Sequence, residues 1–306
     1  MLQINLEDSD GTLAMLRDSV AALAERMPGP DSVRAKRGKG ADIDPALWKA
    51  MAEAGWTALM LPEELGGLGL GLAEQGVLSE ALGRHLLSEP ISGGAVLVSS
   101  LLANAPASEE RQRLAATLVA GELIAVAYVN PPATSSAKPA TGKETGDGGL
   151  VISGEKRLVD GAASACDFLV VVEAGACAAM VSVPAGSAGL QFVPHEGVDG
   201  AALFTVRFDG VEVPADRILA RAESVEAIMD HPTRAARVAL AAELAGLACR
   251  AVEMTVGYTK DRVQFGKPIA SFQALQHRMV EMWSDAEFAC AAVVNAVVRQ
   301  AAGDEA

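Results

Sequence analysis

The chain has 306 residues, half of them apolar and 21% charged. That length exceeds one small core and sets two or three packed units as the expectation. Its 25 basic and 39 acidic residues give a formal charge of −14, which excludes general nucleic-acid or anionic-membrane binding unless a local basic patch reverses the field.

The opening MLQINLEDSDGTLAML carries acids where a signal peptide carries bases. No run of eighteen apolar residues occurs, so no membrane span is expected. Residues 1–121 read as a helical domain. Leu13, Leu16, Val20 and Leu23 recur at helical spacing, and Leu47, Trp48, Met51 and Ala54 repeat the pattern before Gly55. Between them the basic cluster RAKRGK, Arg34 to Lys39, reads as a solvated linker beside Pro28 and Pro30. After the Gly-rich break LPEELGGLGLGL, a further helix carries Val77, Leu78, Ala81 and Leu82.

Residues 122–220 change to strand texture. LIAVAYV, LVISG, DFLVVVE, AAMVSVP, LQFVPH and LFTVRFDGVEVP are short, Val-rich and punctuated by Gly, Pro or Asp, which predicts a small antiparallel barrel or sandwich. Residues 131–149, PPATSSAKPATGKETGDGG, have the composition of a long loop. From 221 to 306 the helix signal returns as a bundle. Val238, Ala241, Leu244, Ala248, Ala251, Val252 and Thr255 mark one stripe, and Met279, Met282, Trp283, Ala286, Cys290 and Val294 a second. The alanines make the first helix thin and suited to close packing. Cys166, Cys177, Cys249 and Cys290 have no metal-type or redox-type spacing and read as reduced and structural, as in a cytoplasmic protein. His85, His195, His231 and His277 are scattered and give no zinc site.

The two helical stripes are joined by YTKDRVQFGKPIASFQALQH, in which Gly266 suits a helix C′ position, Pro268 stops the helix and Ser271 suits the next N-cap. This loop carries more chemistry than a turn needs. Arg262 offers a fork of donors beside a helix N-terminus, an arrangement suited to phosphate. Phe265 adds an aromatic face, and Gln273 and Gln276 add amides. Pyrophosphate bearing a heteroaromatic ring would use all of these, and a dinucleotide fits, although no G-x-G-x-x-G follows a strand.

The same segment resembles the signature of the acyl-CoA dehydrogenase family: a Tyr, Arg-x-x-Phe-Gly-x-Pro-Ile, then Gln and Gln-His. GWTALMLPEELGGLGLGLAEQGVLSEALGR and FDGVEVPADRILA resemble two further motifs of that family, in the family's order. The resemblance implies an α+β fold with a helical N-terminal domain (1–121), a middle antiparallel β-barrel (122–220) and a C-terminal helical bundle (221–306). Only two bundle helices are present where the family has more. It also implies FAD, an acyl-CoA substrate, an oligomer with copies of itself or with another dehydrogenase-like chain, and an electron-accepting flavoprotein as partner. The residues carried over to FAD are Arg262, Gln264, Phe265, Gln273 and Gln276 from the hairpin, with Val129, Ser135, Val159 and Asp160 from the barrel.

The sequence departs from that pattern where the family's reaction is carried out. The family's Thr-Glu-Pro-x-x-Gly-Ser-Asp falls on Val129 to Ser136, with only Pro131 and Ser135 matching. Its Trp-Ile-Thr falls on Leu158, Val159 and Asp160. The family places its catalytic carboxylate in one of two positions; the first falls on Ala236, where neither Asp230 nor Glu243 replaces it, and the second lies in the last part of the family's bundle. Catalytic residues are therefore left unassigned. The readings are an acyl-CoA dehydrogenase acting within a multimer, a structural or regulatory paralogue without flavin, and a flavin monooxygenase on the same fold.

Overall fold

The computed structural model describes residues 2–37, 39, 41–197 and 202–302. They form two compact units, Ser32–Leu70 with Glu89–Ala236, and Met1–Asp31 with Gly71–Ser88 and Arg237–Ala306. Among the described residues no helix is long and apolar enough to cross a membrane.

The larger unit is built on eight strands: β1 Ile124–Ala127, β2 Thr141–Glu144, β3 Leu150–Asp160, β4 Asp167–Ala174, β5 Cys177–Pro184, β6 Leu190–Glu196, β7 Ala202–Val213 and β8 Ile218–Ala222. They lie in the order β6-β7-β3-β2-β4-β5-β8, with β1 against β4. Most pairs are antiparallel, as expected, but β1 and β2 both run parallel to β4. Among the described residues no pairing joins β6 to β8, so the sheet is mostly antiparallel and not a closed barrel. β2 also corrects the reading of residues 131–149 as one loop, because Thr141–Glu144 pairs with both β3 and β4.

Alternation along β4 divides the core in two. Phe168, Val170 and Val172 pack with Val181, Phe204, Val206 and Phe208 on one face. Leu169 and Val171 pack on the other with Met180 and with Leu101, Leu114, Leu118 and Met229 from helices. These helices are α5 Leu97–Asn104, α6 Glu109–Val119 and the first turns of α7 Val225–Asp261. β4 is thus apolar nearly throughout because both of its faces are covered. Helix α2, Gly29–Lys36, replaces the expected solvated linker: Lys36 Nζ donates to Glu89 Oε1 at 2.6 Å. In α3, Pro45–Glu53, Asp44 caps Ala46 and Leu47 while Trp48 Nε1 donates to Gly121 O at 2.8 Å.

The smaller unit packs α1 Thr12–Arg26, α4 Leu72–His85, the body of α7, and α8 Gln273–Ala301. α4 and α7 cross backbone to backbone. A Cβ on Gly83 would lie 2.0 Å from the carbonyl oxygen of Glu243, and one on Gly246 would lie 2.0 Å from that of Glu80. This crossing shifts the stripe expected on α7. Ala242, Ala245, Cys249 and Val252 are buried, whereas Ala241, Leu244 and Ala251 are exposed. Close approach selects the smallest side chains for the inner face, so the leucines turn outward. Glu80 is buried beneath Arg17 at 3.4 Å and Arg84 at 3.7 Å, and burial still pushes its carboxyl above the usual range. Arg84 also reaches Glu253 at 2.5 Å and Leu2 O at 2.8 Å. Cys249 and Cys290 are free thiols 3.5 Å apart, and burial pushes Cys290 up to about 12.

Candidate cofactor site

The segment joining α7 to α8 is a miniature β-hairpin, β9 Val263–Gln264 against β10 Lys267–Pro268. Arg262 N donates to Tyr258 O at 2.9 Å and Ile269 N donates to Arg262 O at 2.8 Å, which ties the hairpin to the end of α7. Phe265 (φ 52) and Gly266 (φ 77) occupy the two tip positions, the left-handed pair that a two-residue hairpin turn demands. Gly266 is therefore a turn residue and not the helix C′ residue that its sequence position suggested. The left-handed backbone costs Phe265 about 1–2 kcal/mol, and the tip holds its ring 91% exposed. Strain spent on presenting an aromatic ring to solvent points to a ligand or a second chain.

Phe265 meets Phe272 edge-on at 6.1 Å, and Lys267 Nζ lies 4.6 Å from the Phe272 ring. Gln273 is the first residue of α8, whose N-cap is Phe272 and has no side-chain cap. Ser271, expected to cap, instead donates its hydroxyl to Pro268 O at 2.8 Å. Gln276 is occupied locally, its Nε2 donating to Ala270 O at 3.0 Å. The side chains of Arg262, Gln264 and Gln273 are exposed and make no hydrogen bond or ion pair among the described residues. One end of the smaller unit thus presents a guanidinium, two amides and an aromatic ring, a donor set that suits phosphate attached to a planar heterocycle.

The residues assigned on the sheet are arranged differently. Val129 O accepts from Arg157 N at 2.8 Å, which fixes residues 128–130 beside β3. Ser135 is half-buried and its hydroxyl accepts from Ala137 N at 3.1 Å. Val159 is 1% exposed inside the core, so its side chain cannot line a ligand. A β-bulge between Lys156 and Val159 is the reason: Leu158, at φ 55, is thrown outward and the next residue inward. Asp160 is partly buried and lies near Asp42. Burial first, then the Asp42 charge, push its carboxyl up to about 6. Asp42 itself accepts from Ala163 N, Ser164 N and Ser164 Oγ at 2.7–3.0 Å.

Sequence reasoning gave no role to Lys156. It is 1% exposed, and its Nζ donates to Asn130 Oδ1 at 2.7 Å and Tyr128 O at 3.1 Å, with burial pulling it down to about 8. It pins the segment containing Val129 against β3. The two-residue period shared with Leu150 and Ile152 already placed it on the inward face. Ala236 is half-buried against the core of Leu169, Met180 and Met229. Of the nearby acids, Asp230 is exposed and paired with Arg234 at 2.7 Å, and Glu243 lies at the α4–α7 crossing.

Residues 11–122 match the acyl-CoA dehydrogenase N-terminal domain, and residues 225–306 match the acyl-CoA dehydrogenase C-terminal domain. The chain is 31% identical over 287 residues to acyl-CoA dehydrogenase IpdE2 of Mycobacterium tuberculosis, covering 92% of this chain and 74% of that protein. The chain belongs to the acyl-CoA dehydrogenase family. That family consists of FAD-dependent oxidoreductases. Solved acyl-CoA dehydrogenases share the fold. The ChsE4-ChsE5 complex of M. tuberculosis superimposes with a TM-score of 0.86 at 25% identity, over 96% of this chain and 79% of that one. The Tcur3481-Tcur3483 steroid ACAD, as a G363A variant, gives 0.81 at 29% identity, over 96% and 78%.

Measured against the family's cofactor, the two sets of residues differ. The hairpin fits: its donors are open, and cationic or neutral. The sheet residues fit poorly at the flavin ring, where Val159 is turned into the core and Asp160 offers a carboxylate in place of a hydroxyl.

Proposed function

We propose that this chain is one subunit of a multimeric cytoplasmic acyl-CoA dehydrogenase, which removes the α- and β-hydrogens of an acyl-CoA thioester. Its hairpin completes an FAD site shared with a neighbouring dehydrogenase-like chain. The observation that carries this reading is the exposed set Arg262, Gln264, Phe265 and Gln273, whose three polar side chains make no hydrogen bond or ion pair among the described residues. Bound FAD supplies the hydride acceptance that such a dehydrogenation requires. Arg262 holds the phosphates, and Gln264 and Gln273 add amide hydrogen bonds. Phe265 covers an aromatic ring and excludes water from that end. The α-proton must pass to a carboxylate, which needs an apolar setting to be basic near neutral pH. Position 236 provides the apolar setting without the carboxylate, so this reading takes the base from outside α7. The two-protein names of the ChsE4-ChsE5 and Tcur3481-Tcur3483 structures support this division of labour. The word steroid in the second name makes CoA thioesters of steroid-derived acids the first substrates to try.

The unfitted sheet residues favour one alternative, a paralogue that binds no flavin. Arg262→Ala separates the two readings. Losing a charge-assisted phosphate contact lowers FAD affinity roughly ten- to a hundredfold, about 1.5–3 kcal/mol, while a surface substitution moves stability by about 0.5 kcal/mol or less. Flavin absorbance per chain and melting temperature, measured on the chain co-purified with its partner, are expected to show flavin loss with an unchanged melt. Full flavin retention in the variant would remove the hairpin from the site. A parent complex without flavin would favour the paralogue.

A further inference from the structure

The core of the smaller unit holds two thiols for which the proposed chemistry has no use. Cys249 on α7 and Cys290 on α8 are 0% and 3% exposed, and their sulfurs lie 3.5 Å apart. The two residues are 41 positions apart in the chain, with the whole β9–β10 hairpin between them. No redox spacing is visible in the sequence because the fold creates the pair, by packing α8 on α7. Packing alone asks only for small side chains on these faces, and Ala242, Ala245 and Ala286 already meet that need. Burial raises both thiols, so neither is a ready nucleophile near neutral pH. They are not equivalent, however. The contact with Cys290 and the charge of Arg84 favour the Cys249 thiolate, against Glu80 and Glu253. Burial and the same sulfur contact push Cys290 up to about 12, with Glu80 and Glu287 adding to the shift. Cys290 is thus the S–H donor of the pair, and Cys249 is the sulfur that ionises first.

We propose that Cys249 and Cys290 form a reversible disulfide staple between α7 and α8 when the chain meets hydrogen peroxide. The Cys249 thiolate attacks one peroxide oxygen and the O–O bond breaks. The departing hydroxide takes up the proton that the thiol released and leaves as water, with Cys249 now a sulfenic acid. The Cys290 sulfur then attacks the Cys249 sulfur. The S–S bond forms, the S–O bond breaks, and a second water carries away the Cys290 proton. Two thiols and one peroxide give one disulfide and two waters, the peroxide accepting two electrons. To pass from 3.5 Å to a bond of about 2 Å the sulfurs close by roughly 1.5 Å, within the reach of side-chain rotation. Burial makes the first step slow, since peroxide meets Cys249 only when the α7–α8 contact opens. Proximity makes the second step fast. The pair therefore stops at the disulfide, where a solitary thiol proceeds to sulfinic acid. None of this needs flavin or acyl-CoA, so it is read separately from the proposed dehydrogenation.

The test exposes the intact chain to graded hydrogen peroxide, records circular dichroism, then alkylates the free thiols in denaturant and maps the peptides by mass spectrometry. The expected product is a cross-linked Cys249–Cys290 peptide pair, two hydrogens lighter than the reduced pair and restored by dithiothreitol, in a chain with unchanged circular dichroism. Exposed Cys177 is the internal reference, and the buried pair is expected to react roughly tenfold more slowly. In Cys290→Ala the resolving thiol is gone, and Cys249 is expected to accumulate about tenfold more sulfenic and sulfinic acid than in the parent. Cys249→Ala is expected to leave Cys290 reduced at the same dose. The oxidised parent is expected to melt at a higher temperature than the reduced one, because the cross-link restricts the unfolded chain. Both thiols remaining free while Cys177 is fully oxidised overturns the proposal. So does a cross-link that appears only as the circular dichroism is lost, or one that pairs either residue with Cys166 or Cys177. A Cys290→Ala variant whose Cys249 oxidises no further than in the parent overturns it too, as does an oxidised chain that melts lower.

Discussion

Gly246→Ala is expected to destabilise the protein by about 3 kcal/mol, the upper end of the usual cost of overpacking. The new methyl carbon would lie 2.0 Å from Glu80 O and 2.8 Å from its carbonyl carbon. Those atoms belong to the backbone of α4 and cannot rotate away, so the two helices must separate. Separation loosens the buried Arg17–Glu80–Arg84 cluster as well. Gly257→Ala is the internal control. It lies on the same helix with nothing within 4 Å of its Cβ position, and better helix propensity there stabilises by up to about 1 kcal/mol. Two identical substitutions eleven residues apart in α7 should therefore shift a denaturant midpoint in opposite directions. Shifts of the same sign would mean that the α4–α7 crossing is not the close contact described. Gly83→Ala is expected to resemble Gly246→Ala, and the double variant to cost less than the sum because both strain one contact.

Asp160→Asn is expected to stabilise the protein by about 2–3 kcal/mol at mildly alkaline pH and to leave it unchanged near pH 4. Burial and the neighbouring Asp42 raise the Asp160 carboxyl from 3.8 to about 6 in the folded chain. The folded state thus binds a proton that the unfolded state has already released. The ionised side chain costs stability throughout the region above about pH 6, and that cost fades as pH falls from 6 to 4. A shift of about two units at 1.36 kcal/mol each sets the size. Lys36 opposes the shift and Glu89 adds to it. Denaturation of parent and variant at several pH values should give curves that converge on acidification. Curves that stay parallel would show that Asp160 ionises in the fold as it does in the unfolded chain.

Much of this was legible in the sequence, and the exceptions have common causes. Helical spacing placed Leu13, Leu16, Val20 and Leu23 inward, as they are, because a helix with one covered face declares it by period. On α7 the same reasoning put Ala241, Leu244 and Ala251 inward and was wrong there, although Val252 is buried as expected, since around Gly246 the neighbouring backbone approaches too closely for large side chains to lie between. Thr141–Glu144 was hidden in a loop composition because its strand is held by partners on both sides and not by its own propensity. At the site, hairpin residues Arg262, Gln264, Phe265 and Gln273 are brought to one exposed end as their spacing suggested. Val159 was misplaced because a bulge, invisible in composition, moved the inward and outward positions of β3 by one residue. Lys156 was overlooked because a lysine on an inward register looks like an error of phase until its two acceptors are seen.

The smaller unit is assembled from three stretches of chain, and its two halves are separated by roughly 150 residues. α1 and α4 leave the ribosome long before α7 exists. Their stripes, Leu13 to Leu23 and Val77 to Leu82, then have only each other for cover. The sheet unit meanwhile has all of its residues between 32 and 236 and can close first. The expected order of folding is therefore from the middle outward, with α7 and α8 docking late onto α1 and α4 through a glycine pair that tolerates no error of alignment. Contacts so distant in sequence form slowly, and the waiting helices are the surfaces on which a nascent chain would aggregate or recruit a chaperone. Gly83 and Gly246 are thus expected to bear on the speed of maturation as well as on the strength of the finished fold.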